Sequence, residues 1–262
     1  MTTLIDVARY PLGELDSAER IALVSRCKNE VQQTGAALLS GFVGGAGVAS
    51  IVAEVEPHLG KAFYKQKRHN VYLADHDDAM PEHHPRNALQ VTDSATLAYD
   101  HLPPAGLLDS IYRWPPMRQF VSEVLGYESL HPYEDELSPV NVLVYPEGAG
   151  TGWHFDIADF VVTLLLRSPQ GGGVYDYAPF IRSESDEGFG EVANILDGKS
   201  DGVKALSQPE GALVIFKGHY TLHRVTPISG ERSRLVAVFS YAREAGQHTN
   251  QYNRRTFYGR ED

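Results

Sequence analysis

One cysteine, Cys27, is all the thiol chemistry that 262 residues carry. A single thiol closes no internal disulfide and builds no thiolate metal cage, which points to a reducing, cytoplasmic setting. Cys27 falls on a predicted amphipathic helix and reads as a small buried hydrophobe. Positive charge is also scarce: 23 Lys and Arg stand against 34 Asp and Glu, a formal net charge of -11. Phosphate backbones are gripped by clustered Lys and Arg, so no nucleic-acid partner is expected. No apolar run nears the ~18 residues of a membrane span. The opening MTTLIDVARYPLGELDS lacks the basic and apolar regions of a secretion signal, so no membrane association is expected.

What is present is a hydrophobic content of 42%, enough for one large core without staples. The segment from Asp16 carries Ile21, Val24, Cys27 and Val31 at helical spacing, with Asp16 and Glu19 as a capping box and Gly35 as its end. AALLSGF then reads as a strand, and residues 46–63 as a second helix. Residues 64–87, YKQKRHNVYLADHDDAMPEHHPRN, are polar and aperiodic, the texture of an irregular lid. Residues 105–126 return to helix, interrupted by Pro115 and Pro116.

After Pro132 the texture changes to short β-rich runs: VNVLVY, FVVTLLL, GGVYDY, GALVIF, LHRVTP and RLVAVFSY, with one helical insertion at about 188–197. Short strands without βαβ alternation predict a mainly β fold with flanking helices. The expected architecture is a double-stranded β-helix, a cupin-like jelly roll, with the N-terminal helices packed outside. We read a single domain: a helical part and lid over 1–130, a jelly-roll core over 131–245 and a C-terminal tail over 246–262.

The chemistry concentrates in GTGWHFDIADFVVTLLL. His154 and Asp156 are one residue apart, so on an extended chain their side chains share a face. Imidazole and carboxylate suit a divalent first-row metal, and two His with one carboxylate leave coordination positions open. With 11 His in the chain, about one His-x-Asp triplet is expected by chance. His76 and Asp78, in the irregular segment, form a competing one. The His154 triplet is preferred because a strand and glycine-rich turn deliver it to a barrel edge. Downstream, His223 lies on another short strand, and His219, four residues earlier on the same alternating face, is the competing third ligand. Arg232 and Arg234 follow in phase. An arginine fork suits a carboxylate, and Arg234, directly ahead of an apolar strand, is preferred.

The combination of WHFD, HRVTP and SRLVAVFSY resembles the iron(II)- and 2-oxoglutarate-dependent oxygenases. HPR at 84–86, GGVYDYAPFIR, FKGHYTLHRVTP and the terminal FYGR are similar to a bacterial group that includes radical halogenases and hydroxylases of free amino acids. The resemblance implies Fe(II), 2-oxoglutarate and O2 as cofactor and co-substrates, with His154, Asp156 and His223 as iron ligands. It implies Arg234, Tyr145 and Asn141 as contacts of 2-oxoglutarate, and turns Arg86 toward the carboxylate of a small-molecule substrate, an amino acid. Asp159 and Trp153 are weaker candidates for the substrate pocket. Halogenases of that group have a small residue at the position of Asp156, leaving room for halide, so the carboxylate favours hydroxylation or desaturation. Two His and one carboxylate also hold catalytic zinc in hydrolases or isomerases, against which the in-phase arginines argue. A homodimer is compatible with the chain.

Overall fold

A computed structural model of the chain describes residues 4–260. Two antiparallel sheets face each other. The larger contains β1 (Ala36–Leu39), β2 (Phe63–His69), β3 (Gln90–Leu97), β4 (Val140–Tyr145), β6 (Val161–Arg167), β9 (Leu213–Phe216) and β11 (Arg234–Phe239), in the order β1-β9-β6-β11-β4-β3-β2. The smaller contains β5 (Thr151–His154), β7 (Tyr175–Ala178), β8 (Lys204–Leu206) and β10 (Leu222–Val225), in the order β8-β7-β10-β5. This is the expected double-stranded β-helix.

The larger sheet is apolar on both faces for different reasons. Val140, Val142, Leu235, Ala237, Phe239, Val162, Leu164, Leu213 and Ile215 pack outward against helices α1 (Ala18–Thr34), α2 (Gly45–Val55), α3 (Leu107–Arg113) and α4 (Pro115–Leu125). The alternate residues Leu143, Tyr145, Leu165, Val236, Val214 and Phe216 line the barrel interior. The smaller sheet turns Trp153, Phe155, Ala178 and Leu222 outward, where helix α5 (Phe189–Leu196) and Val71 and Tyr72 cover them.

Several local expectations need correction. The cap of α1 is Ser17, whose hydroxyl accepts from Arg20 N–H, and not Asp16. The helix expected over 46–63 ends at Val55; a 3-10 turn, Glu56–Lys61, leads into β2. The interruption expected at Pro115 and Pro116 is present: the stretch over 105–126 is two helices that break at Trp114, with Pro115 opening α4 where its missing N–H costs nothing. The segment 64–87 is not irregular throughout, because its first part is strand β2, paired with β3 along its whole length. Phe63, Lys65, Lys67 and His69 alternate inward with Tyr64, Gln66 and Arg68 exposed. So β1, expected as a strand, and β2 and β3, which were not, complete the larger sheet from the N-terminal part. Cys27 is buried in the core, and burial pushes its thiol up to about 11.

Candidate metal centre

The smaller sheet makes His154 and His223 direct cross-strand neighbours, β5 against β10. Their rings lie 4.2 Å apart. Each ring is locked by the same device: His154 Nδ1 bonds Gly152 O at 2.8 Å and His223 Nδ1 bonds Thr221 O at 2.9 Å. A ring that donates from Nδ1 to a carbonyl carries its lone pair on Nε2. Both Nε2 atoms converge on one carboxylate oxygen, Asp156 Oδ1, at 3.6 Å from His154 and 3.5 Å from His223. Ligands at about 2.1 Å from a metal and 90–110° apart would stand roughly 3.0–3.4 Å from one another. These two separations exceed that by only tenths of an ångström, and all three ligand atoms lie within 4.8 Å of one another, a cluster that could hold one metal ion.

The protonation states also fit. Burial and the neighbouring His223 push His154 down to about 3, with Asp156 opposing in part. Burial alone would raise Asp156, but His223 and His154 outweigh it and hold the carboxyl below its ordinary range. A neutral imidazole and an ionised carboxylate are the forms that bind metal. His223 is nearly sealed, its side chain 6% exposed, whereas His154 and Asp156 keep 16% and 19%, so the centre opens on their side. The competing triplet is different: His76 and Asp78 are exposed, and among the described residues only His154, Asp156 and His223 form a metal-ligand cluster. His219 approaches Asp156, but with its ring Nδ1 3.1 Å from the backbone O.

Across the barrel stands Arg234, 4% exposed, with no carboxylate beside it among the described residues. Its guanidinium lies 5.6 Å from the centre of the Tyr145 ring, its cross-strand neighbour, and 3.5 Å from Gln208 Oε1. Burial pushes its pKa down. A buried cation without a counter-charge is costly, and an incoming carboxylate relieves the cost. Arg232, by contrast, is half exposed and paired with Glu210 at 2.9 Å. Tyr175 spans the space between the two groups: its ring stacks on His223 at 5.6 Å, and its phenol is raised by burial and by Asp156 but lowered by Arg234.

The family model described as Halogenase D matches residues 21–257. The chain belongs to the Halogenase D family. None of the curated proteins matches it. Among solved structures it is similar to a 2OG-Fe(II) oxygenase family oxidoreductase from Burkholderia pseudomallei, with 12% identity over 84% of this chain and 91% of that one, TM-score 0.53. It is similar to a prolyl-4-hydroxylase from Pseudomonas putida, with 17% identity over 83% and 98%, TM-score 0.51. The epimerase SnoN of nogalamycin biosynthesis, solved with Fe3+, alpha ketoglutarate and nogalamycin RO, gives 14% identity over 85% and 84%, TM-score 0.57. At these identities the likeness is one of fold: this chain shares the double-stranded β-helix with those proteins.

The remaining candidates are distributed unevenly around the candidate metal centre. Trp153 is not a pocket wall. Adjacent strand residues alternate, so turning His154 inward sends Trp153 out into the core beside Val71 and Leu222, with Arg224 4.7 Å over its ring. Asp159 is engaged at the surface by Arg243 at 3.3 Å. Asn141 shares the interior face with Tyr145 but lies four residues along β4, outside the Arg234 rung; its Nδ2 donates to Ser138 O at 3.0 Å, and its Oδ1 is buried without a hydrogen bond. Arg86 stands 5.9 Å from the centre of the Tyr72 ring, which Arg182, neutralised by Glu187, also approaches at 5.8 Å.

Two residues near the centre were not foreseen. Tyr175 could have been found from the alternation of Tyr175 and Tyr177 in YDYA. His69 stands 6.0 Å from His154, edge to face, with Nε2 2.7 Å from Thr92 Oγ1, and that same hydroxyl accepts from Gly152 N–H at 3.3 Å. It braces the strand that carries His154, and its signal was the inward phase of Lys65, Lys67 and His69.

No helix among the described residues is long and apolar enough to cross a membrane.

Proposed function

We propose that the chain is an iron(II)- and 2-oxoglutarate-dependent hydroxylase of an unactivated C–H bond in a small substrate, a free amino acid or close derivative. The observation that carries this reading is the carboxylate of Asp156, 3.5 and 3.6 Å from the two imidazole nitrogens, standing where a halogenase needs a vacancy for halide. His154, Asp156 and His223 would hold the iron, leaving the remaining positions for the keto acid and dioxygen. Iron held there would supply the chemistry that couples the oxidative decarboxylation of 2-oxoglutarate, to succinate and CO2, to the transfer of the second oxygen atom of O2 into the substrate C–H bond.

The chain's own residues do the placing. Arg234 supplies the fixed cation for the distal carboxylate of 2-oxoglutarate, in a bidentate fork. Tyr145 and Tyr175 wall that site. Arg86, which has no acidic partner among the described residues, clamps the substrate carboxylate from the segment following β2. Holding the reacting carbon near the metal is worth several orders of magnitude in rate, so a loose clamp is costly.

Anaerobically iron-loaded protein, 2-oxoglutarate and a panel of free amino acids, exposed to O2 in chloride buffer, is expected to give succinate and a product one oxygen heavier. A chlorinated product would overturn the hydroxylase reading, and the family's name makes that the alternative to look for. With the substrate identified, Arg86→Ala is expected to raise the substrate KM about tenfold or more, the scale of a lost charge-assisted bond. The KM for 2-oxoglutarate should not move. An unchanged substrate KM would remove Arg86 from the site.

A further inference from the structure

Asp156 is held from three sides by the turn that follows β9. Its N–H donates to Gly218 O at 3.0 Å, and the His219 ring nitrogen Nδ1 stands 3.1 Å from its carbonyl oxygen. Its carboxylate lies against the α-carbon of Gly218 itself. A Cβ at position 218 would stand 1.7 Å from Asp156 Oδ2, 2.5 Å from Cγ and 2.9 Å from Cβ. Contacts that short do not occur between unbonded carbon and oxygen, and the obstacle is the short, stiff aspartate side chain. The backbone of Gly218 does not explain the glycine, because its φ lies outside the left-handed region. The space does. The two carboxylate oxygens divide the work: Oδ1 faces both imidazoles, and Oδ2 occupies the volume that any side chain at 218 would fill.

We propose that Gly218 is a positioning residue for the metal-binding carboxylate: its missing side chain is what lets Asp156 stand in line with His154 and His223. This rests on the reading of Asp156 as the third ligand. The functional motif is then Asp156 together with Gly218, sixty-two positions later, and not His-x-Asp alone. A methyl group at 218 forces the carboxylate out of its place beside the histidines, since the three atoms nearest to it all belong to Asp156.

The test is a double-mutant cycle read by ferrous iron affinity, measured anaerobically by chelator competition without substrate, for the wild type, Gly218→Ala, Asp156→Gly and the double variant. Gly218→Ala is expected to weaken iron binding about 10- to 100-fold, the usual cost of losing a group that orients a ligand. In the Asp156→Gly background, where nothing occupies the space, the same substitution should change affinity less than about twofold. An equal loss in both backgrounds, or none in either, overturns the proposal. Thermal melting of the metal-free proteins covers the case in which Gly218→Ala fails to fold. Asp156→Gly must then restore a cooperative transition, and a double variant that still does not fold overturns the proposal as well. Because the readout is binding, it is independent of which product the enzyme makes.

Discussion

His223→Ala is expected to give a folded protein that no longer holds iron, with turnover at least about a thousandfold below wild type. Groups that merely orient a metal ligand cost about 10- to 100-fold when removed, and His223 is argued to be a ligand itself. Its ring has the least exposure of the three and is enclosed by His154, Tyr175 and Phe216, with the last at 4.8 Å. Water entering the vacated space would not restore the third protein ligand. The matched comparison is His219→Ala, which removes a contact to the backbone of Asp156 but none of the three ligand atoms. Iron content by elemental analysis decides between them. Iron retained in His223→Ala but lost in His219→Ala would reverse the assignment.

The second large effect is at Arg234. Truncating one member of a buried charge pair costs about 2–5 kcal/mol, which at 1.4 kcal/mol per decade is a loss of roughly 30- to 4,000-fold in 2-oxoglutarate affinity. Arg234→Met makes the sharper experiment. The guanidinium has no acidic partner among the described residues, so an apolar side chain of similar length should leave the metal-free fold as stable as before or more so. Loss of co-substrate binding with an unchanged or raised Tm is the signature of a group kept for a ligand. Arg232→Ala, which breaks only an exposed pair with Glu210, should change neither quantity measurably. Equal losses from both arginines would sink the assignment.

The parts legible in the sequence were those that depend on neighbours along the chain. The two-residue period brought His154 and Asp156 to one side and identified the apolar strands of both sheets. Applied consistently, it would also have turned Trp153 away from the site. Strand β2 escaped because its inward positions are Lys65, Lys67 and His69, so the alternation carries no apolar signal and becomes visible only through its pairing with β3. Arg232 and Arg234 are equivalent by phase; a neighbour distant in sequence, Glu210, separates them by occupying one and not the other. Gly218 was illegible for the same reason, since the side chain it accommodates lies sixty-two positions earlier, just past the end of β5. The cap at Ser17 over Asp16 is a one-residue ambiguity between two good capping side chains.

Both imidazoles are fastened to carbonyls two positions back along the chain, so the grip on the cation is templated by the backbone that enters the smaller sheet. Vacating such a receptacle disorders little, and refilling it demands little chain entropy. Metal exchange can therefore proceed as simple docking, repeatedly, with the architecture intact between visits.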